Sequence, residues 1–248
     1  MTRKKRFLVL PPVLMLAACG AATPGAQPHD MSMSQHETAA TTEDTGAAAH
    51  AAMYNADATV TSSHCGHTGA AAAKGDIDGG CWTSVANPTS AHLDEAERHR
   101  KMAADHRAAS QSLKDAEAKS CMGISDRDRD MSPFEHREDI ESVSPLNATN
   151  LSSKSGVNSH LVGATIVFRA VPGMTQQWLQ RVVECHVARN SAVGHDVPEM
   201  PSCPLVPNNV TAKVVSTDAG FAIEVRSDDS ATASEILRRA QSLALTPH

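Results

Sequence analysis

The sequence predicts an α+β fold, and three observations carry that prediction. The last ninety residues alternate strand-like and helix-like patterns in the order β-α-β-β-α. A run from Ala91 to Lys119 consists of helix formers, with no Gly or Pro. Only seven of the 248 residues are aromatic and 39 are Ala, so the 41% hydrophobic fraction is mostly small side chains. A single core for a chain of this length would hold more Phe, Tyr and Trp. The folded part is therefore expected to be shorter than the chain.

The amino terminus has the layout of an export signal. Arg3, Lys4, Lys5 and Arg6 precede an apolar stretch, Phe7 to Ala18, that is too short to span a bilayer. The stretch ends in Leu16-Ala17-Ala18-Cys19, which resembles the lipobox of bacterial lipoproteins. The resemblance implies cleavage before Cys19, acylation of that residue and a membrane-anchored mature chain. Several acyl chains on one residue hold far more firmly than a single myristoyl group. In that family Asp after the Cys is the usual inner-membrane retention signal, and here Gly20 stands in its place. The implied location is the outer membrane, with the chain facing the periplasm. Loss of the leader leaves 18 basic side chains against 28 acidic, a net −10. That charge argues against nucleic acid as a partner and against electrostatic adhesion to anionic lipid.

Residues 19–60 are rich in Ala, Thr, Gly, Pro and Ser, with few large apolar side chains, and read as a disordered tether. Residues 61–158 read as a Cys/His-rich loop, then the long helix, then a charged, turn-rich stretch. Asn87-Pro88-Thr89-Ser90 supplies the stop and N-cap before that helix.

Residues 159–248 form the expected compact domain. A strand over Leu161–Val171 leads to a helix opened by Thr175 and carrying Trp178, Leu179, Val182, Val183 and Val187 at helical spacing. A Pro-rich loop, Val197 to Pro207, follows. Strands Val210–Ser216 and Phe221–Arg226 then flank the turn Thr217-Asp218-Ala219-Gly220. The last helix aligns Ile236, Leu237, Ala240, Leu243 and Ala244. This order resembles a ferredoxin-like sandwich without its final strand, the fold shared by heavy-metal-associated domains. Pro172-Gly173-Met174-Thr175 is similar to the start of their metal loop. Gln176 and Leu179 stand where that loop's cysteines would be, so its metal site does not carry over.

Four groupings could carry chemistry. On the long helix, Glu95, His99, Met102 and His106 line one stripe, extended a turn by His92. His99 and His106 are about 10 Å apart along the axis and cannot share an ion, although Met102 could pair with either. Imidazole and thioether donors together suit copper. In the tether, His29-Asp30-Met31-Ser32-Met33-Ser34-Gln35-His36 resembles the Met/His segments of periplasmic copper-handling proteins. His64-Cys65-Gly66-His67 could ligate zinc or copper, or Cys65 could pair with Cys81 in an oxidising compartment. Finally, Cys185 and Cys203 are expected to form a disulfide that staples the penultimate helix to the following loop, with a metal site including His186 as the alternative. Once lipid takes Cys19, five cysteines remain, leaving at least one free thiol, most simply Cys121. Pairing of Cys81 with Cys121, leaving Cys65 for metal, stays open.

Signatures of hydrolases, nucleotide-binding loops and zinc proteases are missing, and the chain is not expected to be an enzyme. The expected function is a lipid-anchored, periplasm-facing protein that binds or sequesters a transition metal, copper ahead of zinc. The alternative is a non-catalytic envelope adaptor whose protein partner the sequence does not identify.

Overall fold

The computed structural model describes residues 24–65, 81–152 and 156–244. Cys19, His67 and the side chain of Cys65 lie outside the described residues. The structure has two parts, a helical hairpin and an α+β layer pair, joined by a disulfide.

The hairpin starts where the sequence predicts a tether. Residues Met33–Met53 form helix α1. Ser32 opens it with a capping box: its hydroxyl accepts from the Gln35 amide, and the Gln35 side chain accepts from the Ser32 amide. The hydroxyls of Thr38, Thr41, Thr42 and Thr45 donate to carbonyls four residues back, so each is satisfied within the helix. A helix so poor in large apolar groups is marginal alone. Here it packs along α2, Ala91–Ser120, which occupies the predicted span. The helices are antiparallel, for His36 meets His106 at one end and His50 meets His92 at the other. Ala40 and Ala47 of α1 and Ala96, Ala103 and Ala109 of α2 are buried, so small side chains let the two backbones approach closely.

Between these helices a two-stranded ribbon pairs β1, Val60–Cys65, with β2, Cys81–Ala86. Cys65 and Cys81 are register partners, and Cys81 is disulfide-bonded.

After α2 come a short helix α3, Asp126–Asp130, and a 3-10 turn, Arg137–Asp139. A four-stranded antiparallel sheet follows in the order β3-β4-β6-β5, with β3 Ile140–Ser152, β4 Gly156–Arg169, β5 Thr211–Ser216 and β6 Gly220–Arg226. Helices α4, Gln176–Ala192, and α5, Ser230–Ala244, complete the domain. The α+β class stands, but the expected β-α-β-β-α order does not: an additional long strand precedes β4, giving β-β-α-β-β-α. Its polar sequence hides it, and Pro145 fits because β3 lies at the sheet edge. Gly163, in register with Leu146 beside an irregularity of the β3 ladder, lets β6 approach closely, since a Cβ there would lie 1.9 Å from the Val225 carbonyl.

The core forms where Ala164, Ile166, Phe168, Val214, Ile223 and Val225 meet Leu179, Val183, Ile236, Ala240 and Leu243. Thr175 caps α4 as predicted, accepting from the Trp178 amide. The predicted Cys185–Cys203 bridge is corrected: Cys185 is bonded to Cys121, and Cys203 is a buried free thiol. Two residues on from Val183, Cys185 is turned about 200° away from the sheet-facing side of α4. It therefore meets the end of α2 rather than the loop, and Cys121 is not the spare thiol.

Candidate metal centre

The hairpin concentrates the chemistry. On α1, His36, Glu43 and His50 recur every seven residues, and on α2 so do His92, His99 and His106. Seven residues is two helical turns, so each set stays on one face, with the buried alanines between. The antiparallel packing pairs the two sets level by level.

At the first level His36 Nδ1 lies 3.1 Å from His106 Nδ1. In the middle, His99 Nδ1 lies 2.6 Å from Glu43 Oε2. At the far end His50 Nδ1 lies 3.1 Å from His92 Nδ1, and the His50 ring also stacks on that of His99, 5.4 Å between centroids. His50, Glu95 and His99 converge, each offering one ligand atom within 4.8 Å of the others. All three are half-buried. A tetrahedral ion with ligands at about 2.0 Å needs donors roughly 3.3 Å apart, so a modest contraction would close the site.

Local electrostatics prepare it. The Arg98 guanidinium, donating to Glu95, holds that carboxyl below its usual range, and the neighbouring His50 and His99 act in the same sense. Glu95 is therefore ionised at neutral pH. Glu43 holds one ring nitrogen of His99 and so fixes the orientation of the imidazole, leaving its other nitrogen for an ion. Two imidazole nitrogens and a carboxylate oxygen form a borderline donor set that leaves one coordination position open.

Of the predicted stripe, His92, Glu95, His99 and His106 all belong to this interface. Met102 is half-buried and outside the converging group. His64 is outside the converging group, on the exposed ribbon, bonded to Ser84 Oγ at 3.1 Å and stacked on Trp82. Cys203 and His186 are also separate: His186 is buried on α4, its Nε2 3.0 Å from the Asp128 carbonyl. Sequence reasoning missed Glu43 and His50 and found His36 only as part of a flexible segment. The signal was present, because the seven-residue spacing on α1 matches that on α2.

A second group, His136, Glu138 and Asp139, is more exposed and already internally paired: His136 bonds Glu138 at 3.0 Å and Arg169 bonds Asp139 at 2.9 Å. Comparison with protein families, with curated proteins and with solved structures finds no match.

Proposed function

We propose that this chain is a lipid-anchored protein, attached through Cys19 to the outer membrane and facing the periplasm, that binds and sequesters a transition metal. The observation that carries this reading is the convergence of His50, Glu95 and His99 from two helices, with Glu43 behind His99. Nitrogen and oxygen donors of this kind suit Cu2+ and Zn2+, and the usual affinity order places Cu2+ first. An open fourth position is what an exchangeable store needs, since an incoming ligand can take the ion without dismantling the site.

Titration of the full chain in detergent with Cu2+ and with Zn2+ tests the binding. Micromolar or tighter affinity is expected, weakened at least tenfold by His50→Ala or His99→Ala and unchanged by Met102→Ala. Affinity weaker than tens of micromolar that ignores those substitutions overturns the reading. The anchor is tested separately: palmitate labelling and membrane fractionation should both be lost in Cys19→Ala.

A further inference from the structure

His92 stands beside the metal centre without being one of the three residues that converge on it. Its place is set by the chain around it. Past the end of α1 the Asn55 amide donates to Thr89 Oγ1 at 3.0 Å, and the Asn87 side-chain amide donates to the Asn55 carbonyl at 2.8 Å. The His92 amide in turn donates to the Thr89 carbonyl at 3.0 Å. This latch brings the first turn of α2 level with the last turn of α1, and so sets His92 opposite His50.

The His50 ring is held from two sides. His99 stacks on it, 20° from parallel, while the His92 ring meets it Nδ1 to Nδ1 at 3.1 Å, tilted by 36°. A contact of that length between ring nitrogens needs one proton between them, because two lone pairs or two N–H groups would repel. A neutral imidazole carries one N–H and one lone pair. For His50 to give a lone pair to an ion through Nε2, its proton must sit on Nδ1, from where it is donated to His92. His92 then accepts on Nδ1 and carries its own proton on Nε2. Glu43 acts on His99 in the same way. Each imidazole of the centre is thus held at Nδ1 from the opposite helix, His99 of α2 by Glu43 of α1 and His50 of α1 by His92 of α2.

We infer that His92 is a positioning residue of the metal centre and not one of its ligands. Resting on the metal-binding reading above, its role is to fix the Nδ1–H tautomer and the direction of the His50 ring, so that Nε2 is presented to the ion.

Zinc, redox-silent, is the probe, added to the full chain in detergent. His92→Leu removes the acceptor and should weaken zinc binding about tenfold, the low end of what losing an outer-shell partner costs. His92→Asn places an amide oxygen where Nδ1 stood and should restore most of that loss. The unmodified protein gives a reading that does not depend on variants folding. By nitrogen-15 NMR, His50 should carry its proton on Nδ1 and take zinc on Nε2, while His92 keeps its proton on Nε2 and takes zinc on neither nitrogen. Zinc on a His92 nitrogen, or a His92→Asn protein that binds no better than His92→Leu, overturns the inference. Binding lost in His50→Ala and His99→Ala but untouched by His92→Leu leaves the centre standing and removes only His92 from it. Binding that none of these substitutions alters overturns the metal reading itself, and this role with it.

Discussion

Gly46 lies directly beneath the imidazole of His99: a Cβ built on it would stand 3.0 Å from both Cε1 and Nδ1 of that ring. A mid-helix glycine ordinarily costs about 0.5–1 kcal/mol relative to Ala. Its place in α1 is explained by what it lets approach. The ring settles over the bare backbone, and from there its Nδ1 reaches Glu43.

Gly46→Ala therefore sets helix propensity against the geometry of the centre. Thermal stability of the metal-free protein should hold steady or rise by up to about 1 kcal/mol if the ring can shift aside. Zinc affinity at the His50–Glu95–His99 centre should fall about tenfold, roughly 1.4 kcal/mol, because a shifted ring loses its Glu43 support. Calorimetric titration beside a melting curve separates the two. Unchanged affinity would show that the His99 position does not matter to binding.

The Cys121–Cys185 bond closes a loop of 64 residues and ties the hairpin to α4. In the chain-entropy view a closure of that length stabilises by about 4 kcal/mol. For a chain of this size that is a melting shift of roughly 10 °C. The double variant Cys121→Ala/Cys185→Ala should show that loss, and reductant, which also opens the Cys81 bond, should cost the parent at least as much. Cys203, 2% exposed and with its thiol pushed up by burial, should resist alkylation until the protein unfolds. Rapid native labelling of Cys203, or a peptide map joining it to Cys185, would contradict the observed pairing.

Much of the α+β domain was legible because its signals are strong and local. Thr175 ahead of an apolar helix and Thr217–Gly220 between alternating runs each state a boundary with a physical cause. Strand β3 was not legible, since Glu141, Ser142, Ser144, Asn147 and Thr149 give no apolar face and Pro145 argues against a ladder. It is a strand because β4 offers a long edge to pair with. Helix α1 was hidden for the opposite reason. Its Ala and Thr content looks unable to bury enough surface, yet small residues are what a close helix pair requires. The three histidines of α2 could be seen to share a face, but nothing in α2 alone says that the facing groups are His36, Glu43 and His50.

Burial governs the response to acid. His186 has its pKa lowered, chiefly by desolvation, with the nearby Arg189 adding to the effect and Asp130 and the Asp128 carbonyl opposing it. His195 is lowered for the same main reason. A histidine whose folded pKa lies below its unfolded value near 6.5 binds fewer protons when folded. Stability is then full above that pH and falls as pH drops through and below it. Each such group adds a slope of up to 1.36 kcal/mol per pH unit. Asp130, held down to about 2 by Arg189, and Glu235, held to about 2 by Arg238, titrate well below this window. Urea unfolding with chelator present should show lower stability at pH 5.5 than at 7.5. The difference should shrink in His186→Gln, whose amide can still donate to Asp128. An equal pH dependence in the variant would place the effect elsewhere.

The closest test of the hairpin itself is at Ala103, fully buried between His99 and His106 on the face that meets α1. A larger side chain there has no space to enter without separating the helices, and overpacking of this kind typically costs about 1–3 kcal/mol. Ala103→Leu should lower the melting temperature and weaken metal binding, because His50 reaches the centre from α1 while Glu95 and His99 reach it from α2. Ala104, its immediate neighbour, is exposed, so Ala104→Leu carries the same volume and nearly the same helix propensity to the solvent side. That variant should melt and bind like the parent. If both variants bind metal normally, the ligands cannot be drawn from two closely packed helices, since only one of these substitutions leaves that packing intact.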